Sequence, residues 1–348
     1  GGVDSSVVAG LLAAAGHDVI GVTLQLYDHG AATGRPGACC AGQDIHDARR
    51  VADHLGIPHY VIDAEARFRA SVIVPFADSY AAGETPVPCI RCNQTVKFRD
   101  LTALAADLGA DRLATGHYVR HVDGPSGPEL HRAADPARDQ SYFLFATTRD
   151  QLATAIFPLG DYPDKAAVRA EAERLRLEVA TKPDSQDICF VPSGSYGDVV
   201  GALRPDAFAP GEIVDADGAV LGRHDGVGHY TIGQARRLGA AQAGGARRVV
   251  VGLDAVRRRV VVGSPDGGTR LVRVREVNWL APSRPSRCAV KLRSRETLRP
   301  ATVMPTAEGA DVLLDDPALA APGQACVFYH GEQVLGGGFI ADSRAVAC

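Results

Sequence analysis

Apolar positions along the first half of the chain switch between two periods. Val7, Leu11 and Leu12 follow the polar stretch Asp4-Ser5-Ser6 at helical spacing, and Gly16 supplies a stop. The run VIGVTL at 19–24 reads as a buried strand. Ile45, Ala48, Val51, Ala52 and Leu55 mark one helical face ended by Gly56, and residues 59–62 predict a short strand. Phe98, Leu101, Leu104, Ala105 and Leu108 predict a further amphipathic helix stopped by Gly109, with a strand at 112–115 after it. Two more helices are expected near 149–157 and 165–175, then a polar loop at 181–187. Alternation of this kind implies an α/β domain whose parallel sheet is sandwiched by helices, with ligands beyond the carboxyl ends of its strands.

After Pro192 the pattern changes. GEIVDADGAVLG at 211–222 predicts a hairpin turning at Asp215 to Gly218, and VVVGLDAVRRRVVVG at 249–263 predicts another. Short β-like runs separated by Pro and Gly continue to the end. The expected organisation is a catalytic α/β domain over 1–192, a small β-rich domain over 193–270 and a β-barrel or sandwich over 271–348. With 348 residues the chain exceeds the ~250–300 that one hydrophobic core serves, which agrees with several domains. A doubly wound sheet also needs a strand feeding its first loop. The sequence opens directly at Gly1, so a strand ending in Ser is expected upstream, and without it Val7, Leu11 and Leu12 would be left exposed.

Hydrophobic content of 46% with 22% charged residues excludes a wholly disordered chain. No apolar run approaches the roughly 20 residues that span a bilayer, and no secretory leader is visible. The eight cysteines are too sparse for a disulfide framework, so a reduced, cytoplasmic setting is expected. There the single CxxC at Cys89 and Cys92 suits metal or redox chemistry, although one CxxC does not spell out a four-thiolate zinc site. The net charge of −4 hides an asymmetry: residues 247–299 hold fourteen Arg or Lys against four Asp or Glu. Such a basic stretch fits a polyanion partner, and equally fits Arg-rich strand faces in solvent.

Three motifs carry candidate chemistry. In GGVDSSV the glycines let backbone amides approach an anion, and the following helix points its positive end there. Ser5 and Ser6 could donate to phosphate, and Asp4 could hold Mg2+ on it. An incidental Gly-Gly turn with a capped helix is the bland alternative. No GxxxxGK[ST] is present, so this is not the loop that retains β- and γ-phosphates. The string resembles the PP-loop, SGGxDSS, of ATP pyrophosphatases. TPVPCIRCNQTVKF at 85–98 places Cys92 beside Asn93, an expected helix cap, where the dipole would favour a thiolate. KPDSQDICF at 182–190 places Cys189 after a polar loop. Lys97 and Lys182 could add positive charge near the thiols. Cys288, Cys326 and Cys348 read as buried small hydrophobes.

Further strings follow in order: CCAGQDIHDARRVADHLGIPHYVI at 39–62, ATGHY at 114–118, RDQSYFL at 138–144, HYTIGQARRLG at 229–239, PGQACVFY at 322–329 and VLGGGFI at 334–340. In this order the sequence resembles the tRNA 2-thiouridylase family of PP-loop ATP pyrophosphatases over essentially its whole length. That resemblance implies a PP-loop domain, a small central domain and a C-terminal β-barrel. It implies ATP-dependent adenylation of the wobble uridine C2 oxygen in tRNAs for Lys, Glu and Gln, then replacement by sulfur to give 2-thiouridine. Cys189 would receive persulfide sulfur from a cysteine desulfurase or sulfur-relay protein, and Cys92 would be the partner nucleophile, the pair ending as a disulfide. Gly1, Gly2, Val3, Asp4, Ser5, Ser6, Leu24 and Gly116 would hold ATP with Mg2+. Val87, Pro88 and Cys89 would lie against the target base, and His117, Arg138, Asp139, Gln140, Arg293, Ser294 and Gln324 would contact tRNA. For His117 a satisfied core histidine is the competing reading.

Two departures stand out. Many members of the family have Asp in the place of Cys89, so the acid/base role assigned to that Asp does not carry over, and Arg138 replaces a common Lys. Cys89, Cys92 and Cys189 together could instead hold an iron–sulfur cluster with one iron open, the alternative mechanism. Two other functions remain open at this point. Another PP-loop ligase or amidotransferase, of the argininosuccinate synthetase kind, leaves both cysteine motifs idle, and a non-catalytic zinc or RNA-binding module needs a fourth ligand.

Overall fold

Gly2 turns the chain into its first helix, α1 (Val3–Ala14), from an extended conformation with φ −92° and ψ 175°. Gly16, at φ 83°, ends it in the left-handed region that glycine enters without a Cβ clash. The computed structural model describes residues 2–27, 40–184, 188–191, 196–239, 247–284 and 286–342. It separates into two compact units. The first comprises Gly1–Val72, Cys89–Pro192 and Glu332–Val334, and the second Ile73–Pro88, Ser193–Gly331 and Leu335–Cys348.

In the first unit, β1 (Gly21–Gln25) and β2 (His59–Asp63) pair in parallel, from Gly21 opposite His59 to Gln25 opposite Asp63. Between them runs α2 (Cys40–Leu55), ended by Gly56 at φ 66°. This is the expected strand–helix–strand unit. A second parallel pair joins β3 (Leu113–Ala114) to β6 (Ala155–Ile156). The hairpin of β4 (Val119–Gly124) and β5 (Gly127–Arg132) lies between them in sequence and was not predicted. Nor does the helix expected at 149–157 run that far. A Thr148–Gln151 capping box fixes its start, it stops at Thr154, and Ala155 turns extended to enter β6. α3 (Lys165–Arg174) begins where Asp164 accepts a bond from the Ala167 N–H at 2.7 Å.

Val7 is fully buried, and Leu11 and Leu12 pack against the same core with Val51, Tyr118, Leu159, Val168 and Ala172. The exposure expected for these three residues is therefore not found at Val7 and only in part at Leu11 and Leu12, against which α2, α3 and residues 177–180 pack. The CxxC segment also differs from expectation. Pro88–Cys92 is already helical and runs on through a π-helical stretch, Asn93–Asp100, into Leu101–Asp107. Asn93 therefore lies inside a helix and caps none.

In the second unit, β7 (Gly211–Val214), β8 (Val220–His224), β9 (Val249–Asp254) and β10 (Arg259–Gly263) form a sheet in the order β8-β7-β10-β9. Both predicted hairpins are present. Ile213, Tyr230, Ile232, Val250, Val260 and Val262 make its core. Six further strands follow: β11 (Thr269–Trp279), β12 (Arg287–Lys291), β13 (Arg299–Pro305), β14 (Gly309–Ala318), β15 (Ala325–His330) and β16 (Gln333–Asp342). Their order is β11-β14-β13-β12-β15-β16, and β11 pairs with β16 as well as β14, closing a barrel. Alternate residues such as Val272 and Val274, or Val312 and Leu314, point into its core, as the two-residue period of a strand requires.

A candidate nucleotide and thiol site

Gly1 lies outside the described residues. The start of α1 has no side-chain cap, and Asp4 sits in its first turn. The Ser6 hydroxyl donates to the Gly2 carbonyl at 2.9 Å and the Ser5 hydroxyl to the same oxygen at 3.3 Å. Gly116, just beyond β3, approaches this turn so closely that a Cβ on it would meet Asp4 and the Ser5 nitrogen at 3.0 Å. Leu24 is half-buried on β1 opposite Ile62.

Sequence reasoning missed what surrounds Asp4. One of its carboxylate oxygens accepts bonds from the Tyr118 hydroxyl and from Lys165 Nζ, each at 2.7 Å. Lys165 is buried and also meets Asp184 at 2.9 Å. Asp184 in turn pairs with Arg138 at 2.8 Å and with Arg169 at 3.6 Å. Burial raises the Asp184 carboxyl, but Lys165 and Arg138 outweigh it and hold it below its ordinary value. Burial and the bond to Asp4 push the Tyr118 phenol up, keeping it a donor. One signal was available: Lys165 is one of only four lysines.

Cys89 and Cys189 keep exposed surface, Cys92 is buried, and all three are free thiols. Although two of them keep exposed surface, the protein packed around each sulfur desolvates it and pushes all three up, Cys189 to about 12, and Lys97 pulls each back in part. Cys189 is raised further by Cys92 and Cys89, so the three sulfurs lie within electrostatic reach of one another. The expected thiolate at Cys92 is corrected on two counts: no helix begins beside it, and desolvation dominates. Lys182, expected near a thiol, is committed to Asp44 and Asp47 of α2. Among the described residues no three of His, Cys, Asp and Glu are grouped so as to hold a metal ion. As placed, the three thiols do not fit an iron–sulfur cluster.

Asn93 reaches instead toward the 138–144 segment, its Nδ2 donating to the Phe143 carbonyl at 3.0 Å. Within that segment Gln140 is tied to Tyr118 twice: its Oε1 accepts from the Tyr118 N–H at 2.9 Å, and its own N–H donates to the Tyr118 carbonyl at 3.0 Å. Asp139 is internal, accepting from Ser141 N and Oγ at 3.1 and 3.0 Å and from Arg132 Nε at 3.2 Å. His117 bonds Thr115 Oγ1 through Nδ1 at 2.9 Å and stacks on Phe98. Burial and Lys97 hold it well below its ordinary value, so it is neutral at pH 7.

In the second unit, Arg293 donates to the Ile232 and Leu319 carbonyls at 3.0 and 3.3 Å. Gln324 donates to the Thr85 carbonyl at 2.9 Å, Val87 and Ser294 are half-buried, and Pro88 is buried. Five of the arginines of 247–299 are held in ion pairs, three of them with acids outside that stretch. Arg257 pairs with Asp254, Arg259 with Glu212, Arg275 with Glu84, Arg287 with Asp315 and Arg299 with Glu296.

A parallel α/β unit with an uncapped, glycine-flanked helix start and three interacting thiols, in one chain with a closed barrel, defines a PP-loop enzyme equipped for sulfur chemistry. Family models and relatives of high identity agree. The tRNA methyl transferase HUP domain model matches residues 1–193, the tRNA methyl transferase PRC-barrel domain 202–264 and the aminomethyltransferase beta-barrel domain 269–340. The tRNA-specific 2-thiouridylase MnmA of Acidiphilium cryptum is 69% identical over 98% of this chain and 97% of its own length. Those of Gluconobacter oxydans and Rhodospirillum centenum are 61% and 60% identical, over 98% and 99% of this chain and 96% and 91% of theirs. The solved structure of NMN synthetase from Francisella tularensis superposes with a TM-score of 0.33 at 20% identity, covering 59% of this chain and 74% of that one. The chain belongs to the tRNA-specific 2-thiouridylase family.

Proposed function

We propose that this chain converts the wobble uridine of tRNAs for Lys, Glu and Gln to 2-thiouridine, using ATP with Mg2+ and persulfide sulfur. The C2 carbonyl oxygen attacks the α-phosphorus of ATP and pyrophosphate leaves, which turns a poor leaving oxygen into AMP. The terminal sulfur of a Cys189 persulfide then adds to C2. Cys92 attacks the Cys189 sulfur, the S–S bond to the transferred sulfur breaks, and AMP departs with the former O2 oxygen. The two thiols end as a disulfide, which an external dithiol reduces before a cysteine desulfurase or relay protein reloads Cys189. A persulfide is more acidic than a thiol, so it supplies a nucleophile at neutral pH that the raised Cys189 thiol does not.

The observation that carries this reading is that Cys92, Cys189 and the first turn of α1 belong to one compact unit, with Cys92 near enough to help raise the Cys189 thiol. Gly1, Gly2, Val3, Ser5, Ser6, Leu24 and Gly116 would hold the nucleotide, with Asp4 facing its Mg2+. Residues 1–192 would do the chemistry. Val87, Pro88 and Cys89 would meet the base, and His117, Arg138, Asp139, Gln140, Arg293, Ser294 and Gln324 would position tRNA directly or by shaping the backbone that does. No helix among the described residues is long and apolar enough to cross a membrane, and a cytoplasmic site of action suits reduced thiols. Mass spectrometry of tRNA incubated with the chain, ATP, Mg2+ and a desulfurase tests the proposal. Thiolation at position 34 with stoichiometric pyrophosphate is expected. Wild-type thiolation by Cys92→Ser or Cys189→Ser would overturn it, and pyrophosphate release without thiolation would favour another PP-loop ligase.

A further inference from the structure

Two carboxylates from separate segments share one buried ammonium in the first unit. Lys165 Nζ lies 2.7 Å from Asp4, in the first turn of α1, and 2.9 Å from Asp184, which stands five residues before Cys189. A buried ion cluster is a poor way to stabilise a fold, because desolvation offsets most of the attraction between its charges. What such a cluster can do is change partners when another charge arrives. The start of α1 is where nucleotide phosphate would bring that charge.

We propose that Lys165 binds nucleotide phosphate and that Asp184 is a positioning residue which reports this event to the Cys189 segment. Without nucleotide, Lys165 bridges Asp4 and Asp184 and ties the phosphate loop to Asp184. Incoming phosphate competes with both carboxylates for the ammonium. Asp184 then keeps only its other partners, Arg138 and Arg169, on the side of the 138–144 segment and of α3. Asp184, five residues before Cys189, thus gives up one partner when nucleotide enters, which places sulfur delivery after nucleotide binding. Tyr118, bonded to the same Asp4 oxygen, keeps that carboxylate in place while the lysine moves. This rests on the functional reading above.

The test is a single turnover of the full chain with sulfur already loaded on Cys189, saturating ATP, Mg2+ and tRNA, scoring pyrophosphate and 2-thiouridine separately. The unaltered chain should give equal amounts. Asp184→Asn keeps the shape and removes the charge. It should release pyrophosphate within about twofold of the unaltered rate while forming roughly tenfold less 2-thiouridine, and Asp184→Glu should restore the ratio in part. With ATP varied in steady-state turnover, Lys165→Met should raise the KM for ATP by about tenfold or more, with Lys165→Arg recovering much of it. Asp184→Asn losing both products in parallel, or losing neither, would overturn the coupling. An unchanged KM in Lys165→Met would overturn the phosphate role. An unaltered chain that releases pyrophosphate but forms no 2-thiouridine would instead overturn the functional reading beneath both.

Discussion

The two units use charge in opposite ways. In the first, ionised side chains are drawn inward and shared: Lys165 serves two carboxylates, Asp184 serves three cations, and Lys97 acts on all three thiols. In the second, pairs such as Arg257 with Asp254 or Arg287 with Asp315 stand two by two at the surface, with Arg275 between Glu84 and Glu276 as an exception, around a core of Val272, Val290, Leu314 and Phe328. Pairwise surface contacts contribute little each and can be lost singly. Shared ones are coupled, because removing one member changes what the others can pair with. The contrast separates a region built to respond to an incoming charge from one built to hold its shape.

The largest effect should follow from the first unit. Cys189→Ser and Cys92→Ser should each cut 2-thiouridine formation by roughly a thousandfold or more, with ATP binding intact by equilibrium dialysis. Loss of ATP affinity in either would join thiols and phosphate loop more closely than the contrast allows. In the second unit, Phe328→Ala should cost about 3–5 kcal/mol in denaturant melts, since that ring is fully buried in the barrel core. A loss under about 1 kcal/mol would show that the barrel core is not what holds this unit.

The raised thiols give a smaller, pH-dependent contrast. Below a pKa of about 12 the Cys189 thiolate fraction grows with pH, so its alkylation rate in the folded chain should rise about tenfold per unit from pH 7 to 10. In the denatured chain the same rate should level off near pH 9, where an ordinary thiol titrates. Early levelling in the folded protein would mean that the thiol is not desolvated. Smallest is the effect of single arginines in the second unit. Arg295→Ala, at an exposed position, should lower the slope of log tRNA affinity against log salt by about one, and Arg287→Ala, already paired, should leave it nearly unchanged. Equal changes would make the ion pairs irrelevant to tRNA.

Much of the fold was legible because its signals are local. The periodicity of Val7 to Leu12 and of Ile45 to Leu55 becomes α1 and α2, and Gly16, Gly56 and Gly109 all take positive φ where they were read as stops. Asn93 misled because a helix that starts five residues earlier makes a cap meaningless there. Lys165, Tyr118 and Asp184 were not joined because their bonds close over gaps such as 161 residues, for which no sequence period exists. The basic excess was overestimated for the same reason: Glu84, Glu212 and Asp315, which neutralise three of its arginines, lie outside the stretch that was counted.

The closeness of Gly116 to the first turn of α1 has a use in genetics. A single methyl there would crowd Asp4 and the Ser5 nitrogen at 3.0 Å and press on the first turn of α1, while every thiol, lysine and carboxylate of the site stays in the gene product. A Gly116→Ala allele is therefore expected to weaken the nucleotide chemistry while leaving the cysteines in place, and an immunoblot for the full-length chain beside a tRNA thiolation assay checks both halves of that expectation. Any phenotype the allele shares with a deletion strain would then belong to the missing modification, and any phenotype it lacks would belong to the protein as a tRNA-binding or sulfur-accepting body.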